Sequence, residues 1–305
     1  MNVVVTGGTG FIGRPLCTAL CEDSHTVTLM TRRPAEAQPV FGRAVTVVEW
    51  NGREGGVWEQ TLEGADAVIN LAGAPIADAR WTTARKRLLT DSRVSTTRLL
   101  VDALSRRSSK PRTLISASGI GYYGASDDRV LDEGAPRGRG FLADLCLEWE
   151  AAALEAAAFG TRVVTLRTGM VLEQDGGALP KMLLPFRLFA GGPIMPGSQW
   201  VSWIHRRDHI GLIQWALTTE AVSGPVNAVA PGAVTMRTFC SQLGRVLRRP
   251  SWLPVPGFAL EAALGELGTL MTTGQRVSPV KALAGGYQFQ YPMLEPALRA
   301  ILSKA

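Results

Sequence analysis

"VVVTGGTGFIGRPL", Val3 to Leu16, runs from a β-branched segment through a cluster of glycines into a helical pattern. Its glycines satisfy two spacings at once: Gly7, Gly10 and Gly13 read as TGxxGxxG, while Gly8, Gly10 and Gly13 read as GxGxxG. Each has a mechanical reason. One makes the tight strand-to-helix turn, one lets the backbone approach a pyrophosphate, and one packs helix against strand. The amides of the Phe11–Ile12–Gly13 turn would then face phosphate charge at the positive end of a helix. Such a pattern is weak alone, but here it follows a strand and opens a helix, which is the context a dinucleotide site requires.

Outward from this turn, short β-branched runs alternate with helical patterns. After "NVVVT" come the strands "HTVTLM", "AVTVVEW", "DAVINLAG", "RTLISAS" and "TRVVTLRTG", separated by helices such as Ile12 to Glu22, about Thr82 to Arg107, and "FLADLCLEWEAAALEAAAF". This order predicts an α/β fold: a Rossmann-type doubly wound parallel sheet with a smaller C-terminal substrate lobe. Residues 1–169 form the expected NADP(H)-binding domain. Residues 170–305 are expected to be mainly substrate lobe, with about 200–230 returning to the first domain. Beyond Gly169 the strand rhythm stops in a Gly- and Pro-rich apolar stretch, and Asp208 is placed to cap a helix after "VSWIH".

The cofactor's identity is read at the end of the second strand, where an Asp or Glu would bind a free ribose 2′-hydroxyl. The sequence there is Met30-Thr31-Arg32-Arg33. A guanidinium forks onto a 2′-phosphate and stacks on adenine, so Arg32 and Arg33 favour NADP(H) over NAD(H); the plain alternative is two solvated arginines in a turn. "NLAG", Asn70 to Gly73, ends the fourth strand with small residues, and Leu71, Ala72 and Gly73 are expected to lie along the cofactor.

Together with "DSRVSTTRLL", "SASGIGYYG", "RTGMVLEQDGGAL", "GGPIMPGSQWVSWIHRRD", "NAVAP" and "RRPSWLPVP", these motifs resemble the atypical and extended short-chain dehydrogenase/reductases. Within that superfamily the chain is similar, over nearly its whole length, to a poorly characterised family of nucleotide-sugar epimerase-like proteins. The resemblance implies an NAD(P)-dependent epimerase- or reductase-type activity without naming a substrate. In ordinary members a tyrosine moves the proton and a lysine four residues later lowers its pKa. Unassisted, a tyrosine titrates near ~10, a handicap of roughly 4 kcal/mol for base catalysis at neutral pH. No lysine here follows a tyrosine by four: the five are Lys86, Lys110, Lys181, Lys281 and Lys304. The family pattern places that helix near Phe141, so Phe141 or Leu142 stands for the tyrosine and Leu145 or Cys146 for the lysine.

Ser118 closes the fifth strand where ligands bind such sheets and is the candidate hydroxyl donor; Tyr122, or its neighbour Tyr123, is the candidate proton carrier. Two functions compete: an NADP(H)-dependent oxidoreductase or epimerase acting on a polar carbonyl or nucleotide-sugar-like substrate, and a non-catalytic NADP(H)-binding sensor or scaffold.

Composition narrows the setting. At 305 residues and 46% hydrophobic the chain buries a sizeable core. The four scattered cysteines form no CxxC pair and point to no metal site and to a reducing cytoplasm. No apolar run approaches a spanning length of ~20 residues, so no membrane partner is expected. A net charge of +6 suits an anionic cofactor and small-molecule substrate. The densest basic stretch, Arg80 to Arg112, reads as a solvated helical face with no nucleic-acid module. A homo-oligomer is compatible with the chain.

Overall fold

The computed structural model describes Met1 to Ser303; Lys304 lies outside the described residues. From the N-terminus, the elements are β1 (Asn2–Thr6), α1 (Gly13–Glu22), β2 (Thr26–Thr31), α2 (Pro34–Phe41), β3 (Val45–Glu49), β4 (Ala67–Asn70), α3 (Thr83–Thr90), α4 (Thr96–Ser105) and β5 (Thr113–Gly119). There follow β6 (Val130–Leu131), α5 (Phe141–Leu154), β7 (Arg162–Thr168), β8 (Met170–Glu173), β9 (Gly176–Gly177), α6 (Leu179–Arg187), β10 (Trp200–Val201), β11 (Trp203–His205) and α7 (Arg206–Thr218). The chain finishes with β12 (Gly224–Ala228), β13 (Val234–Thr235), α8 (Met236–Leu247), α9 (Gly257–Leu264), α10 (Glu266–Thr272), β14 (Arg276–Val277), α11 (Val280–Ala284) and α12 (Leu294–Leu302).

Seven strands make one parallel sheet in the order β12-β7-β5-β4-β1-β2-β3. The chain winds outward from β1 to β3, then returns to β4 on the other side and winds outward again to β12. The reversal lies between β1 and β4, which is where an open α/β sheet leaves a ligand crevice. Strand residues alternate between two cores: Val3 and Val5 face α1 and α7, and Val4 faces α4. That is the period-2 pattern of a strand covered on both faces. A third core joins α6, α8 and α12 around Trp203 and Phe239 as the second lobe.

Three expectations are revised. The helix over 82–107 is interrupted by a π-helical turn, Asp91–Ser95. This turns Arg93 out of the solvated face: its guanidinium donates to the carbonyls of Leu89 and Ala74 and lies 5.2 Å from the Trp149 ring. Beyond Gly169 the strand rhythm does continue, as β8 paired with β11. A Cβ at Gly169 would lie 2.5 Å from the Ser202 carbonyl, so this glycine lets the chain step directly from one sheet to another. Asp208 is not the α7 cap. His205 Nδ1 accepts the Arg207 amide in that role, while buried Asp208 accepts the amides of Gln290 and Tyr291, tying α7 to the C-terminal segment.

His209, on the buried side of α7, is held by the Thr168 hydroxyl at 3.0 Å, and burial pushes its pKa down to about 4. In the unfolded chain it titrates near ~6.5. Between these values the unfolded chain binds a proton that the folded chain does not, so stability present above ~6.5 is lost as pH falls toward 4. The loss attributable to this group is about 3 kcal/mol. Urea unfolding of the parent and of His209→Leu between pH 7.5 and pH 4.5 checks it: the variant's stability should fall less steeply, and parallel curves would contradict it.

Candidate functional site

The glycine turn sits at the C-terminal edge of β1, facing the loop after β4. Gly7 has φ +69°, and a Cβ there would lie 2.6 Å from the Leu71 carbonyl oxygen, so only glycine lets the two loops meet. A Cβ at Gly13 would lie 2.3 Å from the Gly7 oxygen and 2.5 Å from the Gly8 Cα. These contacts hold the start of α1 against the turn. Gly10 differs: a Cβ there meets only the Gly7 oxygen at 3.2 Å, and its outer side is open. Phe11 points toward the second lobe, its ring seated where Cβ atoms at Gly176 and Gly177 would otherwise intrude and its face 5.1 Å from Arg206. Arg206 also binds Glu173 at 3.3 Å, so the glycine turn and the second lobe are fastened together through one guanidinium.

A buried polar ladder steadies the opposite loop. Thr6 Oγ1 donates to Asn70 Oδ1 at 2.7 Å, and Asn70 Nδ2 donates to Thr97 Oγ1 at 2.9 Å. Asn70 therefore anchors "NLAG" to α4 from below, leaving half-buried Leu71 and Ala72 and exposed Gly73 to line the crevice. At the end of β2 the two arginines separate. Arg33 pairs with Glu36 at 3.2 Å, whereas exposed Arg32 has no ion pair among the described residues.

The other side of the crevice contains a network that residue-by-residue reading did not find. Ser118 and Arg167 are register partners on β5 and β7. Both reach Glu150 on α5: Ser118 Oγ donates to Glu150 Oε1 at 2.7 Å, and Arg167 Nε and Nη2 donate to Oε1 and Oε2, each at 2.8 Å. Burial works against the Arg167 charge, but the bonds and charge of Glu150 more than offset it, and the guanidinium pKa is raised. Arg167 Nη1 also donates to the Tyr123 hydroxyl at 3.0 Å, and that hydroxyl in turn donates to Asn227 Oδ1 at 2.7 Å. Burial pushes the Tyr123 pKa up, partly countered by Arg167 and Asn227.

The paired tyrosines are thereby distinguished. Tyr123 is buried and its hydroxyl fully engaged. Tyr122 is half-buried, its ring lies 3.4 Å from the Arg167 guanidinium carbon, and its hydroxyl has no hydrogen bond among the described residues. In the neighbouring helix Phe141 packs edge-on against Trp81 at 5.3 Å. Cys146 is buried, and burial followed by the Glu150 charge raises its thiol to about 11, which removes it as an acid at neutral pH. Glu150 was hidden in the alanine-rich helix "WEAAALEAAAF"; the available signal was one acid on an otherwise apolar face. Of the candidates taken by position, Gln199 is buried on backbone carbonyls of Ile194 and Met271, Trp200 Nε1 donates to Asp128, and Lys181 stands exposed 4.0 Å from Asp78. Among the described residues no group of His, Cys, Asp and Glu could hold a metal.

A parallel sheet that reverses its strand order between β1 and β4, with a glycine turn at that edge, defines a Rossmann-type α/β fold of the epimerase/dehydratase kind. The NAD dependent epimerase/dehydratase family matches residues 3–229, and a domain of unknown function, DUF1731, matches residues 255–301. The chain belongs to the NAD dependent epimerase/dehydratase family. It is 44% identical to the chloroplastic epimerase family protein SDR39U1 homolog of Arabidopsis thaliana, covering 99% of this chain and 87% of the relative. It is 40% identical to the epimerase family protein YfhF of Bacillus subtilis, covering 99% and 98%. The crystal structure of human epimerase family protein SDR39U1 with NADPH superposes with a TM-score of 0.88 at 35% identity, covering all of both chains.

Proposed function

We propose that this protein binds NADP(H) and carries out an epimerase- or oxidoreductase-type reaction on a polar carbonyl or nucleotide-sugar-like substrate. The observation that carries the reading is the glycine turn packed against the Leu71–Ala72 backbone at the sheet reversal, with the outer side of Gly10 open and Arg32, which has no ion pair among the described residues, exposed at the end of β2. The open side of Gly10 leaves room for a pyrophosphate against the Phe11–Gly13 amides, and Arg32 offers a free fork to a 2′-phosphate. The human relative crystallised with NADPH supports the same choice. When bound, the nicotinamide supplies the hydride donor or acceptor.

The chain's own residues then hold the substrate and move its proton. Tyr122, with its ring fixed on Arg167 and its hydroxyl free, donates to or accepts from the reacting oxygen. Ser118 stands beside it as an acceptor and not the expected donor, because its one proton is given to Glu150 Oε1. A cavity of about 310 Å³ under the following turn is lined by Tyr123, Arg129, Arg137 and Arg139; Arg129 and Arg137 are paired with Asp127 and Asp144, which leaves Arg139 to meet an anionic substrate group. The four cysteines are free thiols, in keeping with the cytoplasmic setting we propose.

Isothermal titration with NADPH and NADH tests the cofactor. Arg32→Glu is expected to weaken NADPH at least about tenfold and leave NADH nearly unchanged; unchanged NADPH affinity would sink the assignment. With a panel of carbonyl and sugar-nucleotide substrates, Tyr122→Phe is expected to reduce turnover about a hundredfold without loss of NADPH affinity. The commitment of Ser118 Oγ to Glu150 favours a second reading, a cofactor-binding sensor. That reading gains if NADPH binds tightly and no member of the panel turns over.

A further inference from the structure

We infer that the face formed by α6, the turn after it and the segment Arg245–Phe258 docks this protein on an anionic membrane surface. The face is apolar where α6 turns away from the second-lobe core. Leu179, Leu183 and Phe186 are buried against Phe239 and Leu243, while Leu184 and Leu188, one turn apart on the outer side, are 61% and 68% exposed. Phe189 and Trp252 continue the surface at 55% and 65% exposure. They are one patch: Trp252 Nε1 donates to the Phe189 carbonyl at 3.0 Å, and the amides of Trp252 and Leu253 both donate to the Gly191 carbonyl. Exposed apolar groups this closely grouped mark an interaction surface.

Charge selects the occupant. Neither α6, the turn after it, α8 nor the segment through Phe258 contains an acidic residue. Arg187, Arg248 and Arg249 are exposed without an ion pair among the described residues, and Arg249 lies 4.4 Å over the Phe189 ring. Across a two-fold axis this surface would set arginine against arginine, which disfavours a second copy. Aromatic and leucine side chains amid unpaired arginines fit the headgroup boundary of an anionic bilayer. No helix among the described residues is long and apolar enough to cross a membrane, so the contact is interfacial. It departs from the sequence-based expectation of no membrane partner.

Backbone strain provides an independent sign. Of the three non-glycine residues with positive φ among the described residues, two belong to this face: Phe189 at +61° and Arg248 at +55°. Both follow helix ends, where glycine is at home in the left-handed conformation and a bulky side chain is not. Glycine would hold either backbone conformation without a side chain, so Phe189 and Arg248 place an aromatic ring and a charge on this surface at some local backbone cost.

The same fact supplies the test. Phe189→Gly and Arg248→Gly relieve strain while removing an anchor and a charge, so lost binding cannot be ascribed to misfolding; thermal denaturation of each variant confirms this. The full chain is sedimented with vesicles of phosphatidylcholine alone and of equimolar phosphatidylcholine and phosphatidylglycerol. The parent should bind the anionic vesicles at least about tenfold more strongly, lose binding in high salt, and lose about tenfold in each variant and in Trp252→Ala. Absence of binding, equal binding to both vesicles, or variants that bind like the parent would overturn the proposal. So would a parent that dimerises in equilibrium sedimentation while Phe189→Gly is monomeric, which would assign the face to a second copy.

Discussion

Glu150→Ala is expected to lower the unfolding free energy by about 3–5 kcal/mol, the largest effect of any single side-chain truncation considered. Glu150 and Arg167 side chains are 7% and 4% exposed, and their contact is bidentate. Removing the carboxylate strands a guanidinium where water cannot reach it, together with the Ser118 hydroxyl. The cost comes from the orphaned charge more than from any intrinsic worth of the pair. Accordingly the double variant Glu150→Leu, Arg167→Met should recover most of the loss, since both charges leave together. Urea unfolding of the parent, Glu150→Leu, Arg167→Met and the double variant measures the cycle, with Glu150→Ala alongside. A Glu150→Ala protein within about 1 kcal/mol of the parent would mean that the site rearranges or admits water.

Gly13→Ala is expected to cost about 2 kcal/mol of stability and to weaken nucleotide binding more than tenfold. The added Cβ would meet the Gly7 oxygen at 2.3 Å and the Gly8 Cα at 2.5 Å, and both are backbone atoms of the same turn. No rotamer change relieves such a contact, so the start of α1 must move away from the turn that aims its amides. Gly10→Ala is the control for size alone, because its nearest contact is a single atom at 3.2 Å. It should leave the apparent melting temperature close to the parent's while impairing NADPH binding through loss of the open side. Equal stability of parent and Gly13→Ala would show that the loop has slack that the geometry does not suggest.

The half of the site built on the glycine turn was legible because its demands are local. A tight turn, a close backbone approach and a helix start each call for a small residue at a set offset, so Gly7, Gly10 and Gly13 announce themselves without knowledge of the rest of the chain. The strands of the sheet were legible for the same reason, since β-branched alternation is read over a few residues. The interruption at Asp91–Ser95 was not, because helical periodicity continues through it and only the inward turn of Arg93 betrays the extra residue. Strand β8 beyond Gly169 was missed because what pairs and positions it, β11 and the Ser202 carbonyl, lies far along the chain.

From its own residues the chain determined a parallel α/β sheet, a tight glycine turn after β1 and a basic end to β2, all consequences of short-range steric and periodic rules. Sequence left Tyr122 and Tyr123 equivalent, and gave Glu150 no role. Tertiary structure separated them, because strand register sets Ser118 beside Arg167 and brings α5 over both. One tyrosine is consumed by a buried charge network and the other is left with a free hydroxyl at the edge of the crevice. A buried charge must be paired, and its partners lie tens of residues away, so folding alone decides which side chains remain available for chemistry.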